Sequence, residues 1–210
     1  MKRLVSGLLW MVLLVPVLGQ AAFVEGQHYQ EVPFSQPVET GNRIEVREFF
    51  WYGCPHCYVL ESALNEWLKK IPSNAQFIRT PGTAPSWMTH AQTFYTFESL
   101  GVTKKVHDVF FKAVQEQKAG LNDENSITEF AAGHGINKQK FREAYNSFGV
   151  HLKLEKAKQL NQDFGIDSVP TIVVDGKYLT SPAMAGGEDK VFQLVNELIA
   201  KAAKERKKKQ

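Results

Sequence analysis

Apolar residues along this chain switch between two spacings, and the switches mark out its elements. Arg43 to Trp51 is a nearly continuous β-branched and aromatic run, which predicts a buried central strand. From Pro55 to Lys70 the spacing becomes three and four, and Leu60, Ala63, Leu64, Trp67, Leu68 and Ile71 share one helical face. Pro72 stops that helix. Pro55 sits in its first turn, where a missing N–H costs nothing. Gln76 to Thr80 predicts a second strand before Pro81-Gly82, and a short strand precedes both around His28–Val32.

From about Pro85 to Gly165 the period is helical. Ser86 is placed to cap a helix carrying Trp87, Ala91, Phe94 and Tyr95, with Gly101 near its end. Lys104 to Gln117 sets Val106, Val109, Phe110, Ala113 and Val114 on one face. Ser126-Ile127-Thr128-Glu129 matches a capping box. Asn137 caps another helix, with Phe141, Ala144, Tyr145 and Phe148 inward. A last run, Val150 to Phe164, closes at Gly165, a natural C′ residue. Strand chemistry then returns at Pro170–Val174. Asp175-Gly176 signals a hairpin turn, and Lys177–Thr180 is the partner strand. Gly186-Gly187 breaks the chain before a final helix whose face is Val191, Leu194, Val195, Leu198 and Ala202. A βαβ half and a ββα half, separated by a helical block, predict an α/β fold with an insertion.

Length and charge narrow the picture further. A chain of 210 residues, 43% of them hydrophobic, suits one domain with an inserted lobe. The net charge of +3 gives no case for nucleic acid, and much of the excess lies in the tail Lys204–Lys209, which reads as a solvated end. At the other end, Lys2 and Arg3 precede an apolar run from Leu4 to Gly19, with small residues around a cut after Ala21. That is the pattern of a secretory signal. The run falls short of the ~20 residues of a spanning helix and contains Pro16. No cysteine near the cut offers a lipid attachment site. Export implies an oxidising compartment, where a disulfide persists.

The candidate chemistry lies in Phe49-Phe50-Trp51-Tyr52-Gly53-Cys54-Pro55-His56-Cys57-Tyr58, which holds both cysteines of the chain. A Cys-x-x-Cys at a strand-to-helix turn is the form of a redox-active disulfide. As a structural bridge it closes too small a ring to restrain the unfolded chain much. As a zinc site it lacks two further ligands. Cys54 sits at the helix N-terminus, where unpaired N–H groups and the dipole favour a thiolate. Cys57 lies one turn on, within disulfide reach. His56 either brings positive charge to Cys54 or is an exposed turn residue. Glu48 lies within an apolar strand, so it is either buried with a partner or raised pKa, or placed at the strand's rim. The Val169-Pro170 bond, ahead of a strand, is open to both isomers. Trp51, Tyr52, Trp87, Phe94, Tyr95 and Phe97 serve the core or help line a substrate groove. His28, His90, His107, His134 and His151 form no readable constellation.

Cys54-Pro55-His56-Cys57 after Glu48-Phe49-Phe50, with Val169-Pro170-Thr171 far downstream, resembles the DsbA family of periplasmic thiol:disulfide oxidoreductases. The resemblance implies a thioredoxin-like fold with an inserted α-helical domain. The expected division is 1–21 signal peptide, 22–85 first thioredoxin-like part, 86–160 helical insertion and 161–210 second thioredoxin-like part with the basic tail. It implies a redox-active Cys54–Cys57 disulfide tuned by His56, and a cis Pro170 packed against the pair. Val169 presents backbone hydrogen bonds to substrate, and Pro55, Val169 and Pro170 make up the substrate-binding set. Glu48 becomes a buried acid relaying protons for Cys57. Arg79 falls at the position of its usual basic partner, where an arginine serves charge pairing better than proton transfer. The implied activity is the introduction of disulfide bonds into exported, unfolded or partly folded proteins, with reoxidation by a DsbB-type quinone-linked membrane partner. No soluble cofactor or metal is expected.

Two rivals follow. An isomerase or reductase shares the chemistry, but family isomerases dimerise through a separate N-terminal domain, for which Ala22 to Asn42 is too short. The sequence leaves monomer and dimer open, with a monomer favoured. A non-catalytic chaperone using the groove alone would survive Cys54→Ser.

Overall fold

Seven consecutive buried residues, Ile44–Phe50, form the strand β2 on which the rest is assembled. The computed structural model describes residues 23–208, so the expected signal segment lies outside the described residues. Among the described residues, a two-residue strand, β1 (Gln30–Glu31), precedes β2. After it come α1 (Pro55–Leu68) and β3 (Ala75–Pro81). A block of helices follows: α2 (Met88–Ser99), α3 (Thr103–Gln115), α4 (Glu124–Gly133), α5 (Lys138–Tyr145) and α6 (Phe148–Asp163). The chain then forms β4 (Thr171–Val174), β5 (Tyr178–Thr180), α7 (Pro182–Ala185) and α8 (Glu188–Lys208). The sheet order is β1-β5-β4-β2-β3, with β2 parallel to β3 and antiparallel to β4. Among the described residues, no helix is long and apolar enough to cross a membrane.

Both faces of β2 are covered, which is why every residue in it is buried. Ile44 and Val46 pack with Leu60, Leu64 and Trp67 of α1 and with Val191, Leu194, Val195 and Leu198 of α8. The opposite face is not apolar throughout. Buried Arg47 bonds Glu45 at 2.8 Å, Thr80 at 2.7 Å and Glu39 at 2.6 Å, so two carboxylates compensate its charge and a hydroxyl takes a further N–H. Phe50 leads the core over into the helical block, where Phe97, Phe110, Phe111, Ile127, Phe141 and Val150 are fully buried. At the β4–β5 hairpin, Asp175 and Gly176 take φ of 58° and 63°, the pair that a two-residue turn of this hand needs. A Cβ at Gly176 would meet the Gln36 carbonyl oxygen at 2.2 Å.

Several local expectations are corrected. Ser86 caps nothing: Pro85–Trp87 is a single 3₁₀ turn, and α2 starts at Met88 without a side-chain cap. The cap of α4 is Asp123, whose Oδ1 accepts from Asn125 N and Ser126 N, an anionic acceptor ahead of the serine. Ser126 falls in the first turn, and Glu129 reaches Lys138 instead of the backbone. The inward face of α3 includes His107 and Phe111, while Val109 is 37% exposed. Phe148 is 80% exposed, because Ser147 caps α6 and leaves Phe148 as its first, outward residue. The short helix α7, capped by Ser181, had no periodic signal. The expected boundary at 160 lies within α6, which runs to Asp163.

Candidate active site

Cys54 occupies the N-cap of α1, where serine or aspartate is more usual. Its backbone is extended, its N–H bonds Trp51 O at 2.9 Å, and its Sγ accepts from Cys57 N at 3.3 Å. Pro55 follows in the first turn. The preceding turn requires Gly53, since a Cβ there would lie 2.2 Å from the Trp51 ring. From the other half of the fold, Val169 brings its carbonyl to 3.3 Å from Sγ, and Cys54 donates to it when its sulfur carries the proton. The Val169-Pro170 peptide is cis. Both cysteines are free thiols here, so the structure holds the reduced pair.

The two thiols differ sharply. Cys54 is pushed down to about 6: hydrogen bonding from the Cys57 side chain contributes most, then the Cys57 and His56 backbone N–H groups, and the His56 charge contributes last. Burial opposes these. Cys57, fully buried, is pushed up by desolvation first, then by the Cys54 sulfur and the Glu48 charge. At neutral pH the pair is therefore one thiolate and one thiol. Beside it lies a groove of about 380 Å³, lined by His56, Val169, Pro170, Pro182, Ala183 and Gly186-Gly187 among others. None of the aromatics named from the sequence lines this groove. Tyr52, Phe94, Tyr95 and Phe97 are core, and Trp51 stacks on Trp87 at 5.1 Å.

Glu48 is fully buried rather than at a rim. It faces Arg79 across the β2–β3 register, and its Oε2 accepts from Arg79 Nε at 3.1 Å while Oε1 has no partner. Arg79 Nη2 in turn reaches both oxygens of Glu61 on α1, at 2.7 and 2.6 Å. Burial pushes Glu48 up to about 7 against the pull of Arg79, and the Glu61 charge adds to the rise. Glu61 is also raised, by burial. Arg79 is held more firmly protonated by the two acids, so it neutralises while Glu48 titrates.

Next to Glu61 stands buried His107. Its Nε2 is 3.7 Å from Glu61 Oε1, and its Nδ1 is 2.8 Å from the Tyr52 hydroxyl. Burial and the Arg79 charge hold it down to about 3, so the ring is neutral. Glu61, His107 and Asp108 bring potential ligand atoms within 4.8 Å of one another. Both Glu61 oxygens are already committed to Arg79, which argues against a cation there. Glu61 and His107 were missed in the sequence. The signal was a polar residue adjoining each apolar stripe, Glu61 beside Leu60 and His107 beside Val106.

The Glu48 shift has a pH consequence. Folded Glu48 takes its proton near 7 and the unfolded group near 4.5, so the folded state binds more protons between these values. Its contribution to stability is full below 4.5 and is lost as pH rises through 7. Glu48→Gln will therefore flatten the decline in Tm between about pH 5 and pH 7.5. Thermal unfolding of the disulfide forms, in which the cysteines do not titrate, measures this, and parallel curves for the two proteins would remove Glu48 as the titrating group.

A family model described as a DSBA-like thioredoxin domain matches residues 76–199. The thiol:disulfide interchange protein DsbA of Pseudomonas syringae pv. tomato is 40% identical over 186 residues, 85% of this chain and 87% of the relative. Its counterpart in Azotobacter vinelandii is 42% identical over 175 residues, covering 83% and 82%. Among solved structures, Pseudomonas aeruginosa DsbA matches with a TM-score of 0.84 at 38% identity, over 88% of this chain and 97% of that one. The oxidoreductase DsbA of Xylella fastidiosa matches at 0.80 and 26% identity, over 85% and 97%.

Proposed function

Because the chain belongs to the DsbA family of thiol:disulfide oxidoreductases, we propose that Cys54 and Cys57 cycle between disulfide and dithiol and that the disulfide form oxidises exported proteins. It is a thiol:disulfide interchange enzyme acting on substrate proteins. The observation that carries the direction of transfer is the asymmetry of the pair, Cys54 pushed down to about 6 while Cys57 is pushed up. A stabilised thiolate favours the reduced enzyme, so the disulfide form is a strong oxidant.

In the cycle, a substrate thiolate attacks Cys54 Sγ and the Cys54–Cys57 bond breaks. The electron pair leaves on Cys57, whose high proton affinity draws a proton, and Glu48, buried and pushed up to about 7, is the acid we assign to give it. The substrate's second thiolate then attacks the substrate sulfur of the mixed disulfide. Cys54 leaves as the thiolate that the start of α1 stabilises. The substrate has lost two electrons and the enzyme has gained them. Val169, whose carbonyl lies 3.3 Å from Cys54 Sγ, offers its backbone to the substrate, and Pro55 and Pro170 complete the substrate-binding set. The protein works in the periplasm as a monomer, on unfolded or partly folded chains, and a DsbB-type quinone-linked membrane protein restores the disulfide. The secretory pattern at the N-terminus supports that location.

The deciding measurement is the equilibrium of the Cys54–Cys57 pair against glutathione. The expected result lies on the oxidising side. A strongly reducing value would leave a reductase. Replacing His56 by Ser should raise the Cys54 pKa by less than about one unit, because the ring charge is the last of the contributions and the backbone N–H groups remain. A titration of thiolate ultraviolet absorbance reads this, and an unchanged curve would take the His56 ring out of the site.

A further inference from the structure

One helix of the inserted block holds the loop that carries Cys54. Tyr52 stands two residues before Cys54 and is 1% exposed. Its hydroxyl pairs with His107 Nδ1 at 2.8 Å, and its backbone carbonyl accepts from Gln115 Nε2 at 2.7 Å. Both partners are on α3, so the helix grips this residue at its two ends. The Tyr52 ring also lies edge-on to Phe110 and Phe111 of α3, with centroids 4.7 and 4.9 Å away. Just past the end of α3, Glu116 accepts from the hydroxyl of Tyr58, the residue after Cys57. Contacts from α3 thus bracket the Cys54-Pro55-His56-Cys57 turn on both sides.

The protonation of this clamp follows from the chemistry of its partners. A buried phenol must donate, and His107 Nδ1 is the acceptor in reach, which places the imidazole proton on Nε2. That N–H faces Glu61, whose two oxygens hold Arg79. The hydrogen bond between Cys54 N and Trp51 O closes a turn around Tyr52. Displacing Tyr52 therefore displaces Cys54 Sγ relative to the Cys57 N–H that it accepts from.

We infer that α3 is a clamp on the active-site loop, and that His107 and Gln115 are positioning residues for disulfide exchange. The inference rests on the redox reading of the cysteine pair. The test uses Gln115→Met, which keeps length and removes the donor, and Tyr52→Phe, which keeps the ring and removes the hydroxyl. Gln117→Met, two residues beyond α3 on an exposed stretch, is the matched control. In both clamp variants the Cys54 pKa is expected to rise by about half to one unit, and the disulfide form to become a weaker oxidant of glutathione by roughly threefold to tenfold. Gln117→Met should behave as the wild type. If both clamp variants lose thermal stability but titrate Cys54 as the wild type does, the role is structural and the inference fails. It also fails if the control shifts as far as they do. A strongly reducing wild type would sink the oxidase reading alone, since the ratio of variant to wild type still measures the clamp.

Discussion

A Cys57→Ser variant will accumulate as a covalent mixed disulfide through Cys54 when mixed with glutathione disulfide, and a Cys54→Ser variant will not. The Cys54 thiolate attacks one glutathione sulfur, forming the Cys54–glutathione bond and expelling glutathione thiolate. In the wild type, Cys57 then displaces the second glutathione; a serine hydroxyl does not. Cys57 alone cannot begin the reaction, being fully buried with its thiol pushed up by desolvation. Steady-state exchange in either variant should fall by at least about a thousandfold, the scale on which removing one member of a cooperating catalytic group acts. Intact mass under non-reducing conditions distinguishes the two. Equal adduct formation by both variants would abolish the division of labour between the thiols.

The largest effect on stability is expected from Arg79→Met. The guanidinium bonds Glu48 through Nε and both oxygens of Glu61 through Nη2, with all three side chains largely buried. Removing it leaves two carboxylates uncompensated, a change that costs about 3–5 kcal/mol for a buried pair. At roughly 2–4 °C per kcal/mol for a domain of this size, Tm should fall by about 10 °C. The sign of the pH dependence is set by the acids. Without Arg79 their folded pKa values rise further, so the variant recovers stability as pH falls and both carboxyls take protons. The gap to the wild type should narrow between about pH 7 and pH 5. Thermal unfolding followed by circular dichroism reads both effects, and a loss under about 1 kcal/mol would mean that the acids find other partners.

What was legible in the chain was local. The apolar run of β2, the three-and-four spacing of α1 and the Asp175-Gly176 turn each declare themselves within a few residues. The cysteine pair does so too, because a thiol at the start of a helix is a statement about neighbours in sequence. Arg79, Glu61 and His107 are different. They come from β3, α1 and α3, and what makes them a site is the register of β2 against β3 and the packing of α3 on α1. Each alone reads as an ordinary polar residue beside an apolar stripe. The capping error at α4 has the same kind of cause. Ser126 fits the pattern as well as Asp123 does, and the choice depends on where the chain arrives from α3. Arg47 sat within a run taken as apolar because its partners, Glu39 and Thr80, lie on other segments.

The inserted block departs from β3, the outer strand of the sheet, and returns to β4, which lies beyond β2. The β2–β3 and β4–β5 pairings each lie on one side of the insertion, β2–β4 and β1–β5 join its two sides, and none of the four uses a residue of the inserted helices. In evolutionary terms this is a detachable graft: a lineage can lengthen or trim the turns between its helices while the sheet inherits its pairings unchanged. The tie that reaches the active-site loop is α3. A descendant that replaced the block wholesale would keep its cysteines and lose the partners of Tyr52, so the graft and the host have to be inherited together at that seam.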